Sequence, residues 1–149
     1  MKKFLLFISL AILANSAAQA KPDFTGRNYS GTYSCKGYNE KVGDYEVTVG
    51  LRLNRVSSYG DFGAYHYTVE TPNSVVYHGQ AAADGPRLAI SFQLGDGKNV
   101  EQSTGLALMK RDSRGRLSFR KKYYEPDDNG GNYGFEDCNI LPPAKTVKP

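Results

Sequence analysis

From Tyr45 to Leu53 apolar and polar residues alternate without a break. Tyr45, Val47, Val49, Leu51 and Leu53 form one series, and Glu46, Thr48, Gly50 and Arg52 form the other. Side chains of an extended chain point to opposite faces in turn, so the stretch predicts a strand with one buried and one wet face. On a helix the same apolar residues would scatter around the whole circumference. The pattern recurs in Tyr65, Tyr67 and Val69 against His66, Thr68 and Glu70, and in Leu88, Ile90, Phe92 and Leu94 against Ala89, Ser91 and Gln93. Further strands are predicted over residues 32–36, 75–81, 104–110, 117–124 and 133–139. The run from Val100 to Lys110 has a helical look, but Gly105 and the lack of a cap place it with the strands.

Turn-forming clusters separate these segments: Asn39 to Gly43, Ser57 to Asp61, Thr71-Pro72-Asn73, Asp84-Gly85-Pro86, Asp96-Gly97, Ser113-Arg114-Gly115, and the Asp-, Asn- and Gly-rich loop from Glu125 to Asn132. Eight short strands at even spacing, with no helix, predict an all-β fold. The expected architecture is a single antiparallel, eight-stranded up-and-down β-barrel over residues 21–141; a two-sheet β-sandwich is the alternative. Lys21 to Asn28 reads as a polar lead-in. Pro142-Pro143 ends the last strand, and residues 142–149 read as a loose tail.

The first twenty residues stand outside this pattern. Lys2 and Lys3 precede an apolar run from Phe4 to Ala14, and Ala18-Gln19-Ala20 is a small-x-small cleavage site. This is the form of a secretory signal peptide cut after Ala20. The expected location is periplasmic or secreted, in a bacterium. No later run is apolar enough to span a membrane. Removal of residues 1–20 leaves seventeen Lys and Arg against fifteen Asp and Glu, a net charge of +2. That weak charge argues against nucleic acid as a partner.

Export changes the meaning of the cysteines. Cys35 and Cys138 are the only two, and in an oxidising compartment they read as one disulfide. In a barrel that bridge ties the first strand to the last. No Cys-x-x-Cys is present to suggest redox catalysis.

Candidate chemistry is sparse. Gly-x-Ser-x-Gly, phosphate-binding Gly-rich loops and His-Glu-x-x-His are all missing, so no enzyme and no cofactor is expected. His66 and His78 would face each other across paired strands, most simply as residues of a solvated face. Asp127, Asn129, Glu136 and Asp137 bring a calcium loop to mind, but Gly131 falls where a ligand is needed, and the 127–132 segment reads as a wide turn. Lys110, Arg111, Arg114, Arg116, Arg120, Lys121 and Lys122 cluster on one predicted hairpin. They read as a solvated face or as a patch for an acidic partner. Tyr123 and Tyr124 join this hairpin to the acidic loop. Arg120, Lys122, Tyr123 and Tyr124 are therefore the candidate binding residues, for a small ligand or an exported protein.

Tyr33-Ser34-Cys35 and Phe135-Glu136-Asp137-Cys138 resemble the ends of periplasmic inhibitors of C-type lysozyme, small exported antiparallel barrels with a Tyr-x-Cys first strand and a late cysteine. The inhibitory Ser-Gly-x-x-Tyr loop of that family is absent; Ser30-Gly31-Thr32-Tyr33 is one residue shorter and lies in the first strand. The opening Gly31-Thr32-Tyr33 is also similar to the Gly-x-Trp start of lipocalin and avidin-like barrels, with Tyr in place of Trp. Both resemblances imply a binding protein, the first a protein inhibitor.

Overall fold

The computed structural model describes residues 20–95 and 101–143. The predicted leader up to residue 19, the Asp96-Gly97 turn and the tail beyond residue 143 lie outside them. The eight strands are β1 (Gly31–Asn39), β2 (Gly43–Leu53), β3 (Phe62–Glu70), β4 (Val76–Asp84), β5 (Arg87–Leu94), β6 (Glu101–Arg111), β7 (Leu117–Glu125) and β8 (Asn132–Ile140). Each pairs antiparallel with the next, and β8 returns to β1, closing an up-and-down barrel. Closure pairs both outer strands, so no sheet edge is left open. The sandwich alternative is thereby set aside.

Cys35 and Cys138 are direct partners in the β1–β8 register, with Cα atoms 4.1 Å apart, and they are bonded. The disulfide lies on the buried face, at the seam where the sheet closes. It fits an oxidising location.

Period-two patterning fills the lumen. Tyr33, Val49, Leu51, Tyr65, Tyr67, Leu88, Ile90, Met109 and Phe119 point inward and are buried. A barrel of eight strands has an interior that side chains can fill. Aromatic rings do much of it, with Tyr33 edge-on to Phe119 at 5.1 Å and Tyr67 tilted on Phe92 at 5.6 Å. Glycines make room for these rings. Gly37 faces Tyr45 and Gly134 faces Tyr123 in the ladders, and in both cases the ring lies over the bare backbone; Gly79 faces Phe92, whose Cβ and backbone crowd it. A Cβ at Gly134 would collide with the Tyr123 ring and with the Tyr38 carbonyl behind it. Gly134→Ala is expected to lower the unfolding free energy by about 1–3 kcal/mol, the usual cost of overpacking. Urea denaturation would measure this, with Tyr124→Ala on the outer face as a small-effect control.

One barrel end is closed by the lead-in, which is more structured than its polar sequence suggests. Thr25 and Gly26 donate their amides to the Gly60 carbonyl, at 2.9 and 3.3 Å. The Tyr65 hydroxyl donates to the Arg27 carbonyl at 3.0 Å, and Tyr33 to the Tyr29 carbonyl at 2.7 Å. Tyr29 crosses the opening and donates to the Gly85 carbonyl at 2.9 Å. Its ring is buried and belongs to the core.

Candidate functional site

The four candidate binding residues divide between the two faces of β7. Residues in a strand alternate, and Leu117, Phe119, Lys121 and Tyr123 are buried while Arg120, Lys122 and Tyr124 are exposed. Tyr123 is therefore an interior residue and does not share a surface with the other three. Lys121 is the larger departure. Grouped by sequence with the surface cations, it is fully buried.

Inside the barrel Lys121 stands directly opposite Glu136 in the β7–β8 ladder, with Nζ 2.9 Å from Oε2. The contact is a buried ion pair. Lys121 donates to the Tyr67 hydroxyl at 3.3 Å. The ammonium also lies 4.9 Å from the ring centres of Phe92 and Tyr123, favourable cation–π distances. The Tyr45 hydroxyl donates to Glu136 Oε1 at 2.8 Å and lies 3.0 Å from the Tyr123 hydroxyl. Asn39 extends the network, donating to Asn132 Oδ1 at 2.7 Å and to the Tyr123 hydroxyl at 3.1 Å. Glu125 accepts from both Asn39 and Asn132.

Burial is the main influence on these groups. It pushes the Tyr45 phenol far up, with the Glu136 charge adding to the effect, and does the same to Tyr67. It pushes Lys121 down, and Glu136 opposes that fall. The Tyr45 and Tyr67 phenols thus remain neutral, and Tyr45 donates to the Glu136 carboxylate. With Lys121 at 0 % and Glu136 at 2 % exposure, the pair has no accessible surface to offer a substrate. Cys35, Cys138 and Glu136 also approach one another closely enough to suggest metal ligands, but both sulfurs are held in the disulfide.

The outer wall offers a different kind of site. Ala82, Ala89, Leu106 and Lys122 lie side by side across β4, β5, β6 and β7. Leu108 lies between Arg87 and Arg120 in the next row. The two alanines leave a trough beside Leu106, which is 72 % exposed. The resulting groove has a volume of ≈ 1100 Å³, with Phe62 and Tyr124 among its lining and Asp84, Arg87, Lys110, Arg120 and Lys122 charged along it. Arg87 pairs with Asp84 at 2.8 Å, and Arg120 with Asp137 at 3.0 Å. Among the described residues, Lys110 and Lys122 have no carboxylate at ion-pair distance. Beyond Lys122 the surface continues into aromatic residues: Phe135 is its partner on β8, stacks on Tyr38 at 6.0 Å and carries the Arg120 guanidinium at 4.9 Å. Tyr124 and Tyr133 are direct partners on the same face. Arg120, Lys122 and Tyr124 are thus brought together at one groove.

Two other sequence candidates take structural roles. Asp127 accepts from the amides of Asn129 and Gly131 with one oxygen and meets Lys41 with the other, organising the turn before β8. Lys41 and these amides hold its pKa at about 2. His66 pairs with Gln80 and His78 with Thr68, so the two histidines are diagonal neighbours rather than opposite partners, both exposed.

Lys121 was legible by counting alternate positions from Leu117. The groove left a trace in Leu106-Ala107-Leu108-Met109, where apolar residues occupy both faces of a strand that must have one wet side. No protein-family model, no curated protein and no solved structure matches this chain.

Proposed function

We propose that this chain is an exported, non-enzymatic binding protein that meets its partner across the outer wall of β4 to β7. The observation that carries the reading is the groove itself. An apolar floor of Ala82, Ala89, Leu106 and Leu108 lies exposed between cations, on a wall where charged and polar residues are otherwise the rule. Contiguous exposed apolar surface of this kind marks interaction sites. Tyr and Arg beside it are the residue types that dominate binding energy at interfaces. The lumen, by contrast, is occupied by side chains from Tyr33 to Lys121, which turns recognition toward the surface.

Export rests on the signal-peptide form of residues 1–20 and fits the buried disulfide. Periplasmic or secreted placement in water is supported by the outward residues Lys36, Glu46, Arg52, His66 and Asp137, which would interrupt the apolar belt of a transmembrane barrel. The test is NMR of isotope-labelled mature protein in concentrated extract of the exported fraction. Amide perturbation confined to β4–β7, and lost in Leu106→Asp, is expected. Perturbation confined to the wall formed by β1–β3 would overturn the reading.

Inhibition of a C-type lysozyme is the alternative, and it rests on the resemblance of Tyr33-Ser34-Cys35 and Phe135-Glu136-Asp137-Cys138 to the ends of that inhibitor family. Mature protein in excess would then slow lysozyme-driven cell-wall lysis, and unchanged lysis would remove this alternative.

A further inference from the structure

We infer that the groove takes an acidic, apolar-striped helical segment of another exported protein. This deepens the proposed function and rests on it. Three observations point to that occupant.

The first is the shape of the groove. Along β6 it runs from Lys110 to Thr104, a span of about 20 Å at the rise of a strand. That length matches roughly thirteen residues of helix, between three and four turns. Its floor is recessed at Ala82 and Ala89 and raised at Leu106, a relief that side chains of a ridged partner can fill. The second is the closed ladder. Every strand is paired on both sides, so the partner cannot add a strand through backbone hydrogen bonds. Recognition must run through side chains, the mode in which an amphipathic helix lies in a groove.

The third is charge. Arg87, Lys110, Arg120 and Lys122 line the groove against the single carboxylate of Asp84, and Lys110 and Lys122 are not neutralised within the described chain. Arg111, Arg114 and Arg116 extend the positive field from the β6–β7 hairpin, with Asp112 engaged by Arg116. Acidic residues flanking the partner's apolar stripe would meet these cations. A second copy of this chain is disfavoured: a two-fold contact sets this face against an identical one, so four cations meet four cations with Asp84 as the one carboxylate lining each groove.

The test titrates disulfide-intact mature protein with three synthetic helical peptides, followed by amide chemical shifts. One carries a leucine stripe flanked by glutamates, one the same stripe flanked by lysines, and one the glutamates with serines in the stripe. The leucine–glutamate peptide is expected to shift amides of β4–β7, with affinity falling as salt rises. Lys122→Glu should weaken it about three- to tenfold, and Leu106→Asp should abolish it. Glu46→Lys, on the opposite wall, should leave the groove shifts in place. Equal binding of the lysine-flanked peptide would overturn the acidic partner while leaving an outer-wall binding function intact. No shift with any peptide would overturn the helical occupant. Vesicles of anionic phospholipid shifting the same amides, where the peptides do not, would assign the face to lipid and overturn the proposal.

Discussion

Replacing Cys35 and Cys138 together by alanine is expected to lower the unfolding free energy by about 4–5 kcal/mol. The bridge closes a loop spanning 103 positions, almost the entire described chain. In the loop-entropy treatment a crosslink of that length restricts the unfolded ensemble by this amount. Its position adds a second effect. The bond joins directly paired residues of β1 and β8, the one ladder of the barrel between strands that are not consecutive in sequence. Without it, closure of the barrel depends on ladder hydrogen bonds and interior packing alone. Urea denaturation of oxidised wild type against the double variant measures the difference. A change below about 1 kcal/mol would show that the seam does not depend on its covalent link. Mass mapping of non-reduced peptides should find Cys35 joined to Cys138.

The second large effect lies beside the first, at Lys121 and Glu136. Lys121→Met alone leaves the Glu136 carboxylate buried with only the Tyr45 hydroxyl as donor. Removing one member of a buried pair costs about 3–5 kcal/mol, because the other charge stays behind uncompensated. Glu136→Gln should cost a similar amount by stranding Lys121 between the rings of Phe92 and Tyr123. The double variant Lys121→Met/Glu136→Gln is expected to recover most of the loss. It removes both charges while the glutamine carbonyl still accepts from Tyr45. A double-mutant cycle by denaturation isolates the coupling. Additive losses would mean that the two residues do not act as a pair.

Most of the fold was open to reading from the alternation of residue types. All eight strands could be located because each contributes one face to the core, and the two cysteines indicated where the sheet closes. Alternation also held the key to Lys121, whose neighbours Phe119 and Tyr123 share its face. Its charge concealed this, since charged residues are rarely buried unless paired. The partner was less accessible. That Lys121 meets Glu136 depends on the register across the 125–132 turn, which is set by Asp127, Gly130 and Gly131 in three dimensions.

The candidate site divided in the same way. Tyr123 and Tyr124 are adjacent in sequence, and adjacency in a strand places them on opposite sides of a wall. The Tyr123 hydroxyl accepts from Asn39 in the interior network; Tyr124 stands in the outer groove. The groove is assembled from four strands, and its alanines carry little signal of their own until Ala82, Ala89 and Leu106 are set in register. The closing of the far end by residues 24–30 was hidden for another reason. That segment has no periodicity and is held largely through backbone groups and the Tyr29 and Tyr65 hydroxyls.

The outer wall of β4–β7 as the proposed binding surface is tested most directly by photo-crosslinking in living cells that produce the protein. A photoreactive residue would replace Leu106 in one strain and Thr48, on the outer face of the opposite wall, in another. A discrete adduct from position 106 in the exported fraction, absent from position 48 and lost when Lys110 and Lys122 are also changed to glutamate, is the expected result. A discrete adduct from position 48 alone would contradict it.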